Sequence, residues 1–201
     1  PIQSIAGSLA DLLRHGPPSG ETVDDYEQGL SVIRARSAAL SRFMASYARM
    51  AKLPPPDRKP VDVSSWVRRV ASLESRIAVR VSPGPPLSIP ADGDQLDQLL
   101  INLVRNAVDA SLESEGDRGR TGDVEIGWGT NGDNLEVWVL DDGPGVSETM
   151  NLFVPFFTTK KNGSGIGLAL SRQIAEGHGG SVLLTNRSDG MGCRATGVLP
   201  L

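Results

Sequence analysis

Residues 124–145 read Val-Glu-Ile-Gly-Trp-Gly-Thr-Asn-Gly-Asp-Asn-Leu-Glu-Val-Trp-Val-Leu-Asp-Asp-Gly-Pro-Gly. Val124, Ile126 and Trp128 alternate with polar or small residues, 130–134 supply turn formers, and 135–140 extend again, so the stretch predicts a β-hairpin. The second strand runs into Asp141-Asp142-Gly143-Pro144-Gly145. A carboxylate at a strand end can accept a hydrogen bond from an amino group, and glycines beside it let a flat ring approach the backbone. Taken alone, Asp-Gly-Pro-Gly is an ordinary turn.

Upstream, residues 94–112 predict a helix with Asp94 as its N-cap. Leu96, Leu99, Leu100, Leu103, Val104 and Ala107 form one apolar face, while Gln98, Asn102, Asn106 and Asp109 line up separately at spacings of four and three. The apolar face is expected to pack on a sheet. The polar stripe offers oxygen ligands suited to magnesium, which takes few protein ligands and keeps phosphates and waters; by itself it is also what a solvated helix face looks like.

Downstream, Phe153, Pro155, Phe156, Phe157, Thr158, Thr159, Lys160 and Lys161 lead into Gly163-Ser164-Gly165-Ile166-Gly167-Leu168, which opens a helix predicted over 166–176. Glycines ahead of a helix N-terminus present amides whose partial positive charge suits phosphate, and the lysines add mobile charge. No lysine follows the final glycine as a Walker loop requires, and the glycine spacing is not the dinucleotide fingerprint. At least one of the three phenylalanines is expected to be ordinary core.

The flanks complete the pattern. Residues 63–77 predict a helix, 78–81 a short strand, and 181–185 and 194–199 two closing strands around Gly179-Gly180. Helices mixed with mainly hairpin-linked strands define an α+β class with helices over one face of a sheet.

The first fifty residues differ. Ile2, Ile5, Leu9 and Leu12 recur on one helical side, and Leu30, Ile33, Ser37, Leu40, Met44, Tyr47 and Ala51 keep a three-four seam. These predict a helical hairpin over 1–53 that cannot cover both seams by itself, so a homodimer through the N-terminal helices, a four-helix bundle, is expected. Pro54-Pro55-Pro56 and Pro60 end the helix, and 54–60 is read as a linker to a domain over 61–201.

Composition sets outer limits. The formal net charge is −4 with no extended basic run, which argues against a nucleic-acid partner. A single cysteine, Cys193, fits a reducing cytoplasm. No apolar run is long enough to cross a bilayer, and the start Pro1-Ile2-Gln3 is neither a signal peptide nor an initiation site, so the chain is expected to be a fragment, with any membrane anchor in parts of the parent protein not present here.

In their order, the asparagine-bearing helix, Asp-x-Gly-x-Gly, the Phe-Phe loop and Gly-x-Gly-x-Gly-Leu resemble the N, G1, F and G2 boxes of the ATP-binding domain of sensor histidine kinases. The resemblance covers residues 92–200 strongly; 153–168 is most similar to the nitrogen-regulation type with a short lid, and the N-terminal helices more loosely resemble the dimerisation and histidine-phosphotransfer hairpin. It implies a two-layer α/β sandwich of the Bergerat type that takes ATP and Mg2+. By the same resemblance Asp141 holds the adenine amino group and Gly143 and Gly145 shape its pocket. Asn106 ligands magnesium with Asn102 in support, and Asn102 and Lys160 serve catalysis. Gly163, Gly165 and Gly167 present amides beside Ser164, and nucleotide contacts extend to Asp109, Phe157, Thr158, Thr159, Ile166 and Leu168.

The implied chemistry is phosphoryl transfer from ATP to a histidine and then to an aspartate of a response-regulator receiver domain. The acceptor is absent here: His15 precedes Gly16-Pro17 at a helix end and is read as a surface residue, and His178 as structural. Related gyrase, mismatch-repair and chaperone ATPases place a glutamate where this chain has Asn102. An ATP-dependent interaction module and a hydrolase of that class are the alternatives.

Overall fold

A computed structural model describes residues 2–14, 20–51, 53–118, 123–146, 151–158, 160, 163–188 and 191–201. The chain divides into two compact units, Pro1–Lys52 and Leu53–Leu201.

The first unit is two helices, α1 (Ile2–Arg14) and α2 (Gly20–Ala51). Helix α2 begins well before the apolar seam that marks it in the sequence. Its first turns are fixed by α1: Tyr26 donates its hydroxyl to the Leu9 carbonyl at 3.2 Å, and a Cβ on Gly29 would come within 2.9 Å of the Leu9 side chain. Leu9 is buried by this contact, whereas Leu30, Leu40 and Met44 stay 58%, 54% and 53% exposed along α2.

The second unit opens with β1 (Lys59–Asp62) and α3 (Val63–Ser72), followed by β2 (Val79–Val81) and β3 (Ser88–Ala91). Next come α4 (Gly93–Arg118), the hairpin β4 (Val124–Asn131) and β5 (Asn134–Asp141), α5 (Gly167–Gly177), β6 (Ser181–Asn186) and β7 (Cys193–Pro200). Five strands form one sheet in the order β2-β4-β5-β7-β6, parallel only between β2 and β4. Strands β1 and β3 make a separate antiparallel pair in which Pro60 faces Pro90.

The core follows the two periods. Leu96, Leu99, Leu100 and Leu103 of α4, Trp66 and Val67 of α3, and Ile174 of α5 are fully buried, as are Ile126, Leu135, Val137 and Val139 of the hairpin. This is the α+β sandwich expected, with helices on one sheet face. The alternation Leu135, Val137, Val139 continues to Asp141, which the pleat therefore turns toward the helices.

Several boundaries depart from the sequence reading. Asp92, not Asp94, caps α4: its Oδ1 accepts the Asp94 and Gln95 amides, both at 3.1 Å. Helix α3 stops at Ser72, because Glu74 folds a turn by accepting the Ser75 and Arg76 amides at 2.9 and 2.8 Å. Residues 53–58 belong to the second unit, where Gln95 Nε2 donates to the Pro54 carbonyl at 3.0 Å and the Asp57 amide to Asp92 Oδ2 at 3.0 Å. His178 caps α5 and is buried: Nδ1 lies 2.8 Å from the Ile174 carbonyl, and Nε2 accepts the Asp92 amide at 3.1 Å. His15 lies outside the described residues.

Candidate functional site

A cavity of about 620 Å³ opens beside α4, the start of α5 and the Asp141 end of the sheet. That volume is in the range of cofactor sites. Its walls bring together Asn102, Asn106 and Asp109 of α4, Asp141 and Gly145 after β5, Phe157, Thr158 and Lys160 of the lid, and Gly163, Ser164, Gly165, Gly167 and Leu168. Gly143 and Ile166 are not on its surface: both are buried, Gly143 against Ala110 and Ile166 in the core. Thr159 lies outside the described residues.

At the apolar end Asp141 is 5% exposed. Its Oδ1 takes the Gly143 amide at 2.9 Å and the Cys193 amide at 3.1 Å, which leaves Oδ2 as the acceptor on offer. Burial raises the carboxyl above its ordinary range, and the two amides pull the other way. Ala110, Leu184, Cys193 and Ala195 line this end. The Cys193 thiol, pushed up to about 12 by burial and by Asp141, stays a small neutral wall. Gly145 has φ +82°, and a Cβ there would meet Asn186 Oδ1 at 2.6 Å. Sequence reasoning missed Gly192, whose φ is +98° and whose added Cβ would strike the Asp141 carbonyl oxygen. Its signal, a glycine directly before the closing strand, is too common to stand out.

The other end offers the donors that suit an anion. Helix α5 starts at Gly167 and its N-cap Ile166 makes no side-chain cap hydrogen bond, so its first amides point out of the helix with no side-chain acceptor among the described residues. Gly165 has φ +65°, and a Cβ on it would overlap the Phe156 and Phe157 backbone at 2.5 and 2.7 Å. Phe156 itself takes φ +71°, and its amide donates to the Gly165 carbonyl at 2.8 Å, closing the lid base on the glycine run. None of the three loop phenylalanines is core: Phe156 and Phe157 are each 38% exposed, and Phe153 is half-buried beneath Arg172 at 5.7 Å. The expected core phenylalanine is thus absent among them, because the loop lies at the surface, where only Phe157 of the three lines the cavity.

Along α4 the amides divide. Asn102 is engaged, donating to the Gly167 carbonyl at 3.3 Å and accepting from Gln98 at 3.2 Å. Asn106 is half-buried on the cavity wall and its side chain makes no hydrogen bond among the described residues, so its oxygen is the one that fits a hard cation. Lys160 reaches back to α4, 3.0 Å from Asp109 Oδ2 and 3.5 Å from the Asn106 carbonyl. Arg76 reaches the other oxygen of Asp109 at 2.6 Å. Burial raises the Asp109 carboxyl, but hydrogen bonds from Arg76 and Lys160 outweigh it and hold the group below its usual range.

Comparison with known proteins agrees with this geometry. The family model described as histidine kinase-, DNA gyrase B-, and HSP90-like ATPase matches residues 91–201. Sensor histidine kinase ZraS of Escherichia coli O157:H7 is 29% identical over the whole of this chain and 43% of its own length. Sensor protein FixL of Bradyrhizobium diazoefficiens is 39% identical over 58% of the chain and 23% of its own length. The chain thus spans less than half the length of either relative. The solved catalytic domain of histidine kinase ThkA is 29% identical, with a TM-score of 0.61 over 72% of this chain and 95% of that one. Histidine kinase ThkA solved in complex with response regulator protein TrrA shares the fold at a TM-score of 0.67 and 24% identity, over 99% of this chain and 57% of that one. The chain belongs to the histidine kinase-, DNA gyrase B- and HSP90-like ATPase family, and its second unit is similar to the catalytic domains of sensor histidine kinases.

Proposed function

We propose that this chain binds ATP with Mg2+ and directs the γ-phosphate to a histidine imidazole supplied from outside this sequence, as one half of a two-component relay. The observation that carries the reading is the polarity of one cavity, with a buried, half-engaged carboxylate at one end and an uncapped helix N-terminus at the other. Asp141 Oδ2 accepts the adenine amino group. The α5 amides, with Ser164 and Lys160, receive the phosphates. Asn106, with Asn102 in support, holds magnesium, which supplies charge neutralisation at the phosphates.

In the transfer the imidazole nitrogen bonds to the γ-phosphorus while the bond to the ADP oxygen breaks, giving phosphohistidine and ADP. Positioning and charge neutralisation account for the catalysis. His178 cannot be the acceptor, since both ring nitrogens are engaged with the Ile174 carbonyl and the Asp92 amide. Asn102 favours transfer over hydrolysis: an amide held between Gln98 and Gly167 is no base for water.

The exposed α2 stripe supports a homodimer through the first unit. The ThkA complex supports a response-regulator receiver as the next phosphate acceptor. A need for ATP and a single buried thiol both suit the cytoplasm.

Mixing this chain with γ-labelled ATP and a separate hairpin bearing an acceptor histidine tests the reading. Acid-labile label on the hairpin is expected, with slow release of free phosphate. Bound ATP with a hairpin that is never labelled would end the kinase reading, and rapid steady phosphate release would replace it with a hydrolase.

A further inference from the structure

Four charged side chains from three parts of the second unit meet in one line. Glu74, in the turn after α3, is only 8% exposed at its side chain and grips Arg76 with both oxygens, taking Nε at 3.0 Å and Nη2 at 2.8 Å. The remaining terminal nitrogen, Nη1, reaches Asp109 Oδ1 on α4 at 2.6 Å. The other Asp109 oxygen takes Lys160 Nζ of the lid at 3.0 Å. A planar guanidinium clamped by a bidentate carboxylate is a fixed charge, whereas a lysine is a mobile one.

We infer that Arg76 is a positioning residue for the lid lysine: by sharing the Asp109 carboxylate, it lets Lys160 leave that carboxylate for the phosphates of a bound nucleotide. The proposal rests on the ATP-binding reading above. In the structure the four charges sum to zero, two carboxylates against two cations. When Lys160 moves to a phosphate, Asp109 keeps the Arg76 guanidinium and no bare carboxylate faces the cavity. Without Arg76, Lys160 becomes the partner Asp109 cannot give up, and withdrawing it would leave an uncompensated carboxylate on a wall that is to hold phosphates. Both effects weaken phosphate binding, and both act through Asp109. Neither touches the adenine end, which is built from Asp141, Leu184 and Ala195.

The test compares ATP with adenosine on the full chain, by calorimetry or competition in the presence of magnesium. Arg76→Ala should weaken ATP by roughly tenfold, the size of a coupling between contacting charges, and leave adenosine unchanged, because adenosine has no phosphate for Lys160 to reach. In an Asp109→Asn background the same substitution should have little further effect on ATP. Equal losses for ATP and adenosine would mean that Arg76 acts through the fold, and an undiminished loss in the Asp109→Asn background would mean that it acts elsewhere; either overturns the inference. If Arg76→Ala does not fold, Arg76→Gln keeps the planar head without its charge and must give the same pattern. A wild-type chain that binds adenosine but not ATP refutes the relay, while one that binds neither refutes the ATP-binding reading itself.

Discussion

The main-chain amide of Cys193 donates to Asp141 Oδ1 at 3.1 Å, so the first residue of β7 fixes the last carboxylate of β5. The Gly143 amide occupies the same oxygen. Asp141 is thus a structural acceptor through Oδ1, and Oδ2 is left for the ligand role proposed above.

Those two roles separate by substitution. Asp141→Ala should weaken ATP binding by about 1.5 to 3 kcal/mol, roughly ten- to a hundredfold, and also lower the melting temperature, since two buried amides lose their acceptor. Asp141→Asn keeps an oxygen for those amides but turns an NH2 group toward the adenine amino group, so stability should hold while affinity falls. Calorimetry showing wild-type affinity for both variants would remove Asp141 from the adenine pocket.

Gly192 packs against the main chain of the same residue. Its φ of +98° is open to glycine, and a methyl there would enter the space of the Asp141 carbonyl. Gly192→Ala should cost on the order of 1–3 kcal/mol of folding stability and weaken ATP binding by shifting Asp141. Thermal unfolding and ATP titration on one preparation check this; an unchanged melting temperature would refute it.

The site was more legible in the sequence than its frame. Asp141 could be placed because its strand alternates so regularly that the pleat fixes its direction, and the glycine run because it abuts a helix. Strands β1 and β3 were hidden because Pro60 and Pro90 argue against strands, and only their pairing with each other, off the main sheet, accommodates two residues without amide donors. The start of α2 was hidden because Tyr26 and Gly29 are held by α1 and not by a seam. The Arg76–Asp109 pair joins positions 33 residues apart, which no spacing rule reaches.

The acidic groups respond to pH with opposite signs. Arg76 holds Glu74 down at about 2, against an ordinary 4.5. A folded-state value below the unfolded one contributes stability that is complete above about pH 4.5 and is lost as pH falls toward 2. Denaturant unfolding should therefore show acid destabilisation that Glu74→Gln reduces. Burial moves Asp141 the other way, so it protonates above the usual aspartate range, and ATP affinity should fall with acidification before Glu74 titrates. An ATP affinity that stays flat down to the ordinary aspartate range would contradict that order.

Leu30, Leu40 and Met44 fall at helical spacing on α2 and are each more than half exposed, while the single buried apolar contact described between α1 and α2 is Leu9. Burying a leucine contributes about 1.5–3 kcal/mol, and two helices that leave such side chains in water have reason to associate with a second pair. A symmetric dimer places each stripe against its own copy, so one substitution acts twice. Leu40→Glu should therefore shift the chain from dimer to monomer in sedimentation while leaving ATP binding by the second unit intact. A wild-type chain that sediments as a monomer at roughly tens of micromolar, where an association worth about 6–7 kcal/mol would already be visible, would refute the dimer.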